Sequence, residues 1–322
     1  MKKKLFLQLV VPLLSLCVLF FLLATDPMEE SRSQDLVQLS VIFREEDPVW
    51  STTRDGMEQA AADLGAELRF LAPASANDAR EQETLLEREL DAGAEGILLI
   101  PADRSILKEA VKKTGRVVVT LETAMEGTEG CVGVDNAPMG EAVARSALNG
   151  VRKGGTAVLL DSAPGDNGVR ERLAAARVLL EQEGRHVMQV MPTMDKTVME
   201  RLAEIVEVSK PSAVLAFEPS VLEDAADLIR TIRSDPTRDW KSIPLLYGMG
   251  STPAIAAGLE QGHITALHAQ DDFSSGYIAV VTAVMAVRHQ NTGEPEPLPF
   301  LLVRRDNMYD EDRQKLMFPV CR

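Results

Sequence analysis

The chain has 322 residues, 45% of them hydrophobic, enough to bury two cores and more than a single core usually takes. A formal net charge of −15 excludes nucleic acid and anionic lipid as main partners, because phosphate binding needs clustered Lys and Arg and no such cluster follows Lys4. With 4% aromatic residues, and tryptophan only at Trp50 and Trp240, there is little material for base-stacking platforms, and small-molecule binding stays open.

Residues 1–24 read as a membrane-directed segment. Lys2, Lys3 and Lys4 precede an apolar run at 5–24, and Asp26, Glu29 and Glu30 follow it, which places the N-terminus inside and the body outside the membrane. Leu22-Leu23-Ala24 supplies only one of the two small residues a cleaved signal uses, so an uncleaved anchor fits better than a cleaved signal. Leu14-Ser15-Leu16-Cys17 resembles a bacterial lipoprotein signal but lacks the small residue before the cysteine. Residues 25–35 form a polar tether.

From residue 36 the chain repeats one unit, a short apolar strand followed by an amphipathic helix. The first array predicts strands at 37–43, 67–72, 96–101 and 115–123, with helices that start behind Pro48, close at Gly65, and span 78–92. The uninterrupted apolar run at 96–101 is typical of a parallel strand covered on both faces. The stretch 131–140, CVGVDNAPMG, then hands over to a second array of the same kind. It has strands at 155–163, near 186–191, and at 212–219, 243–250 and 264–270, with helices at 170–182, 198–208, 222–232 and 251–261. A long helix at 274–288 and a last strand at 300–303 finish the pattern.

The expected fold is therefore α/β, with two Rossmann-like lobes of parallel sheet joined by a multi-strand hinge and preceded by an N-terminal transmembrane or signal helix. The lobes are expected at 36–135 plus 271–301 and at 136–270 plus 302–322, with crossings at Asp135-Asn136, near Gln270 and near Arg304. A cleft between such lobes, at the carboxyl ends of the strands, is where a ligand goes.

Read on composition alone, the candidate residues have plain alternatives. Arg172 fits a helix-surface arginine paired with Glu171 or Glu181, Trp50 fits a core residue, and Glu122 and Glu218 fit solvated strand ends. Asp135 fits a turn, since Asp and Asn bond their own backbone. His186, His263, His268 and His289 lie far apart without zinc-ligand spacing, so neither a metal nor a cofactor is expected. Cys131 and Cys321 are open to a bridge or to two free thiols. There is no nucleophile elbow, metal motif or paired-acid signature, so an enzyme is not expected.

The order of elements resembles the type I periplasmic solute-binding proteins, closest to the ribose-binding branch. The markers are Glu46-Asp47-Pro48-Val49-Trp50 behind the first strand, Asp55-Gly56-Met57, Gly96-Ile97-Leu98-Leu99-Ile100 and Val134-Asp135-Asn136 with Gly140. Arg170-Glu171-Arg172, Gly262-His263-Ile264-Thr265-Ala266 and Gln270 with Gly276 complete them. The resemblance runs from about 37 to 307. It implies ligand-binding roles for Asp47, Trp50 (stacking on a sugar face), Glu122, Arg172 and Gln270, and a hinge at Asp135 and Asn136. Three positions depart from the family's pattern. Tyr247-Gly248-Met249 lacks the carboxylate that grips a diol, Glu218-Pro219 replaces Asn-Asp, and Pro101-Ala102 replaces an asparagine.

Glu122, Glu218 and Asp47 facing one arginine, Arg172, make the site more acidic than a pentose site, which suits an amino sugar or another cationic polar ligand as well as a sugar. Arg172 is expected to aim across the cleft at Glu122, so that its removal weakens ligand and leaves the unliganded fold nearly as stable. The function this implies is an extracytoplasmic solute-binding protein, tethered to the membrane, that presents a polar small molecule to a permease of an ABC transporter. The alternative is a membrane-anchored sensing module that signals to a membrane kinase or receptor.

Overall fold

The computed structural model describes residues 36–237, 243–290 and 293–318. The expected membrane segment at 1–24, the tether at 25–35, Trp240 and Cys321 lie outside these residues. Among the described residues no helix is long and apolar enough to cross a membrane.

The first array folds as β1 Val37–Ile42, α1 Ser51–Leu64, β2 Ala66–Leu71, α2 Ala79–Asp91, β3 Gly96–Leu99, α3 Arg104–Lys113, β4 Val117–Leu121 and β5 Gly130–Val132. Its five strands form one parallel sheet in the order β2-β1-β3-β4-β5. The second array gives α4 Asn136–Ala147, β6 Thr156–Leu160, α5 Asn167–Gln182, β7 His186–Val190, α6 Val198–Ser209 and β8 Ala213–Ala216. It continues with α7 Pro219–Arg233, β9 Leu245–Met249, α8 Pro253–Glu260 and β10 Ala266–Gln270. The chain then crosses to α9 Asp272–Val287, returns as β11 Phe300–Val303 and ends the described part with α10 Glu311–Met317. The second sheet runs β11-β10-β9-β8-β6-β7.

Both sheets are covered on two faces, which is why their strands read as continuous apolar runs. Alternate residues feed opposite cores: Val41 and Leu98 pack under α1 and α9, while Ile42, Ile97 and Leu99 pack under α2 and α3. In the second sheet Ala157 and Leu159 face α4 and α5, and Val158 and Leu160 face α7 and α8.

Two differences from the expected fold share one cause. β11 is antiparallel to β10, whereas parallel sheets were expected. In addition, the third crossing falls before Phe300 and not near Arg304, so Phe300 and Leu301 belong with the second sheet. β10 leaves its sheet at the cleft edge for α9 in the first lobe. The returning chain passes the hinge, where Leu298 N–H donates to the Gly133 carbonyl at 2.8 Å, and re-enters from that same edge, so it must run the opposite way.

The glycines among the sequence markers have a packing role. A Cβ on Gly56 would lie 2.0 Å from the Phe273 carbonyl oxygen, and one on Gly276 would lie 1.9 Å from that of Thr53, so α1 and α9 meet backbone to backbone. Gly140 does the same for α4 and α5, 2.1 Å from the Arg172 carbonyl oxygen.

Candidate functional site

The carboxyl ends of both sheets face each other. On the first-lobe wall β1 runs out into Arg44, whose carbonyl accepts from Asn77 N–H at 2.8 Å and whose side chain is 2% exposed. Pro48 opens a single turn of 3-10 helix, which Asp47 caps, its carboxylate accepting from Val49 N–H at 2.9 Å. That turn delivers Trp50, 7% exposed, against Phe43 with ring centres 5.6 Å apart. Glu122 follows β4 with φ 61°, a left-handed backbone rare outside glycine, held by the Asn136 side-chain amide donating to the Glu122 carbonyl at 2.7 Å.

On the second-lobe wall Asp166 caps α5, accepting from Val169 N–H at 3.1 Å, and so starts that helix three residues earlier than expected. Arg172 lies in its second turn, 1% exposed. Its Nε donates to Asn136 at 2.7 Å and its Nη1 donates to the Phe217 carbonyl at 2.7 Å, with the Met249 sulfur 3.2 Å away. Glu218 occupies the N-cap position of α7 with Pro219 behind it, and the Ser162 hydroxyl donates to its carboxylate. Gln270 ends β10, its amide donating to Asp272 at 2.8 Å.

The two walls touch. Arg44 pairs with Glu218 and, at 3.3 Å, with Asp166, both from the opposite lobe, and with its neighbour Glu45 at 3.4 Å. Arg172 reaches Glu122 at 3.6 Å, and at the rim Arg104 pairs with Glu171 at 2.9 Å. Burial works against the charge on Arg44, but Glu218, then Asp166 and Glu45, outweigh it and raise its pKa further. Burial likewise pushes Glu218 up, and Arg44 with the Ser162 bond overcomes it and holds Glu218 below its ordinary value. Glu122 and Glu45 go the other way: burial exceeds the pull of their arginines, and both sit above the ordinary carboxylate range.

Each sequence-predicted residue thus stands at the cleft edge, in varied roles. Arg172, Glu122 and Asn136 form one connected set. Asp135 precedes α4 as an exposed residue, and its side chain makes no cap bond. Trp50 joins the first-lobe core, with the Arg44 guanidinium 5.8 Å from its ring centre. The expectation of one arginine facing three acids is corrected: a second buried arginine, Arg44, takes Glu218, and Arg172 is bound mainly to Asn136 and its own lobe. Neither plain reading of Arg172 holds either, since Glu171 pairs with Arg104 and Glu181 with Arg177.

Sequence reasoning missed Arg44, Asp161 and Asp166. Arg44 opens the charged stretch 44–47 behind the first strand, and nothing in the sequence singles it out from its neighbours. Four cleft-edge atoms are buried without a hydrogen-bond partner among the described residues: Arg44 Nε, Trp50 Nε1, Asp161 Oδ1 and Gln270 Oε1. A cavity of about 380 Å³ reaches Glu122 from the hinge side, lined also by Cys131, Asp135 and Glu171. Cys131 is a free thiol, pushed up to about 11 by burial. No group of metal-ligating side chains occurs among the described residues.

Similar proteins share this architecture. The ribose import binding protein RbsB of Bacillus subtilis (strain 168) is 26% identical over 166 residues, 49% of this chain and 54% of the relative. The chain thus spans about half the length of the curated relative it matches. A carbohydrate transporter solute-binding protein from Agrobacterium radiobacter, solved in complex with D-arabinose, superposes with a TM-score of 0.77 at 18% identity, covering 88% of this chain and 100% of that one. The XylFII–LytSN complex superposes with a TM-score of 0.74 at 16% identity, covering 84% and 98%. At such identities the likeness to solved structures establishes the fold. The periplasmic binding protein domain matches residues 39–291, well over half of the chain, and the chain belongs to that family.

Proposed function

We propose that the protein captures a polar, hydroxyl-bearing small molecule, a sugar or an amino sugar, between its two lobes and presents it to a membrane permease. The observation that carries this reading is the set of unpartnered buried atoms on the cleft edge, two donors (Arg44 Nε, Trp50 Nε1) and two acceptors (Asp161 Oδ1, Gln270 Oε1). A hydroxyl both donates and accepts, so a polyol answers such a mixed set where an apolar ligand or a simple ion does not. Asp47, Trp50, Glu122, Arg172, Glu218 and Gln270 are the proposed contacts, with Asp135 and Asn136 in the hinge. The apolar run at 5–24 is the proposed membrane tether. Type I relatives such as RbsB, by its name a ribose import binding protein, support the transport setting.

The competing reading is a sensing module that passes closure to a membrane kinase or receptor. The likeness to XylFII, solved in complex with LytSN, favours it. Co-purification of the full chain from its own membranes distinguishes a permease from a kinase partner.

A thermal-shift screen of sugars, amino sugars and polyols tests the ligand class. A ligand at a hundred times its dissociation constant adds ~2.7 kcal/mol of stability, and its melting shift is readily seen. If no hydroxylated compound moves the melting temperature, the reading fails.

A further inference from the structure

We propose that Arg44 is a built-in occupant of the cleft: it closes the two lobes on each other without a ligand, and any ligand must displace it from Glu218 and Asp166. The inference rests on reading the cleft as the ligand site. Its core, a closed ligand-free molecule, is tested without any ligand.

The geometry carries it. Arg44 belongs to the first lobe, yet each of its terminal nitrogens engages a carboxylate of the second, Nη2 with Glu218 and Nη1 with Asp166 at 3.3 Å. The same two nitrogens also meet Glu45 at 3.4 Å and Asn77 at 3.1 Å, groups of the first lobe. The guanidinium therefore lies between the lobes as a fork with a prong tied to both sides. It also lies 5.8 Å from the centre of the Trp50 ring, within the distance at which a cation is attracted to an indole. A flat polar group beside an aromatic ring, bonded at its edges to carboxylates, is what a ligand in this cleft would be.

The other contacts between the walls are weaker. Arg104 and Glu171 pair at the rim with side chains 44% and 43% exposed, where water and salt screen them. Arg172 and Glu122 stand 3.6 Å apart, beyond a good hydrogen bond. Among the described residues Arg44 is the sole ion-pair partner of Glu218 and of Asp166. Without it these two carboxylates, with Glu45 facing them, would be left buried and unpaired, and the walls would repel. Arg44 thus decides both whether the empty molecule stays closed and which ligands enter.

The test uses the full-length chain in detergent with Cys17, Cys131 and Cys321 replaced by serine. Spin labels are placed at Ser51→Cys and Met194→Cys, exposed positions on the two cleft-side rims. In the ligand-free parent, pulsed dipolar spectroscopy should read a single short interlobe distance. Arg44→Ala should lower the closed-to-open ratio by roughly a hundredfold, the scale of a broken buried pair, and give a longer, broader distance. Glu218→Gln breaks the same pair from the other lobe and should do likewise, which keeps the proposal exposed if Arg44→Ala fails to fold. Methylguanidinium, which restores the missing group, should return Arg44→Ala to the short distance, and sodium chloride at the same concentration should not.

A long distance in the ligand-free parent, a short one in Glu218→Gln, or no effect of methylguanidinium on folded Arg44→Ala would each overturn the proposal. A failed sugar screen would sink the ligand reading and leave these distances standing; an open parent would sink the latch and leave the ligand reading intact.

Discussion

Arg172 donates to Asn136 and to the Phe217 carbonyl of its own lobe, whereas Arg44 binds two carboxylates of the lobe opposite. Both are buried arginines at the end of a strand–helix unit, both lie beside a glutamate, and the two do different things. The hydrogen bonds of Arg172 to Asn136 and to the Phe217 carbonyl do not depend on the opposite wall, so they stabilise the second lobe itself. The pairs of Arg44 with Glu218 and Asp166 form only when the lobes meet, so they stabilise closure. Residue type and burial do not assign a role in a two-lobed protein; the lobe to which the partner belongs does.

The strongest way to break this comparison is Arg172→Ala. It strips the Phe217 carbonyl and Asn136 of a donor and leaves Glu122 without its cation, so the ligand-free protein should lose ~3–5 kcal/mol. The urea midpoint should fall with little change in slope. This revises the expectation that the unliganded fold would be nearly unaffected, and an unchanged midpoint would return Arg172 to a purely ligand-facing role.

A smaller effect is expected from the glycines. Gly140→Ala pushes a methyl into the Arg172 carbonyl, and Gly56→Ala pushes one into that of Phe273, each overpacking a helix pair at ~1–3 kcal/mol or more. The melting temperatures should fall alike. Gly140→Ala should also weaken ligand, because it shifts the helix that carries Arg172; unchanged ligand affinity in that variant would separate Arg172 from the site.

The finest discrimination comes from pH. Glu218 lies below its ordinary 4.5, since burial is outweighed by Arg44 and Ser162; its stabilisation is complete above 4.5 and is lost as pH falls through the depressed value. Glu122 lies above 4.5 because burial exceeds the pull of Arg172, so the folded state keeps its proton longer and stability falls as pH rises from 4.5 through the raised value. Melting curves against pH should therefore show a weaker acid-side decline in Glu218→Gln and a weaker decline above 4.5 in Glu122→Gln. Parallel profiles for the two variants would mean that the two arginine sites are electrostatically equivalent.

Much of the fold was legible in the chain. Strands buried on both faces read as apolar runs, such as Gly96-Ile97-Leu98-Leu99, and glycine caps such as Gly65, with φ 65°, close helices where the periodicity ends. The antiparallel entry of β11 was not legible, because four apolar residues carry no direction; the route of the chain between lobes supplies it. In the site, Glu122, Glu218 and Gln270 were legible as residues at strand ends, and Arg172 as a residue of the helix behind β6. Asp166 was hidden as an ordinary cap, and Arg44 was hidden at the head of a run of acids, Glu45-Glu46-Asp47.

By itself the sequence determined the βα order, the two arrays and the acidic balance of the chain. These follow from periodicity, chain punctuation and net charge, which are local or additive quantities. The tertiary structure alone decided which carboxylate meets which arginine. Arg44, Asp166 and Glu218 are far apart in the chain, and their pairing depends on two sheets presenting their carboxyl ends to one gap, a geometry that no local pattern encodes.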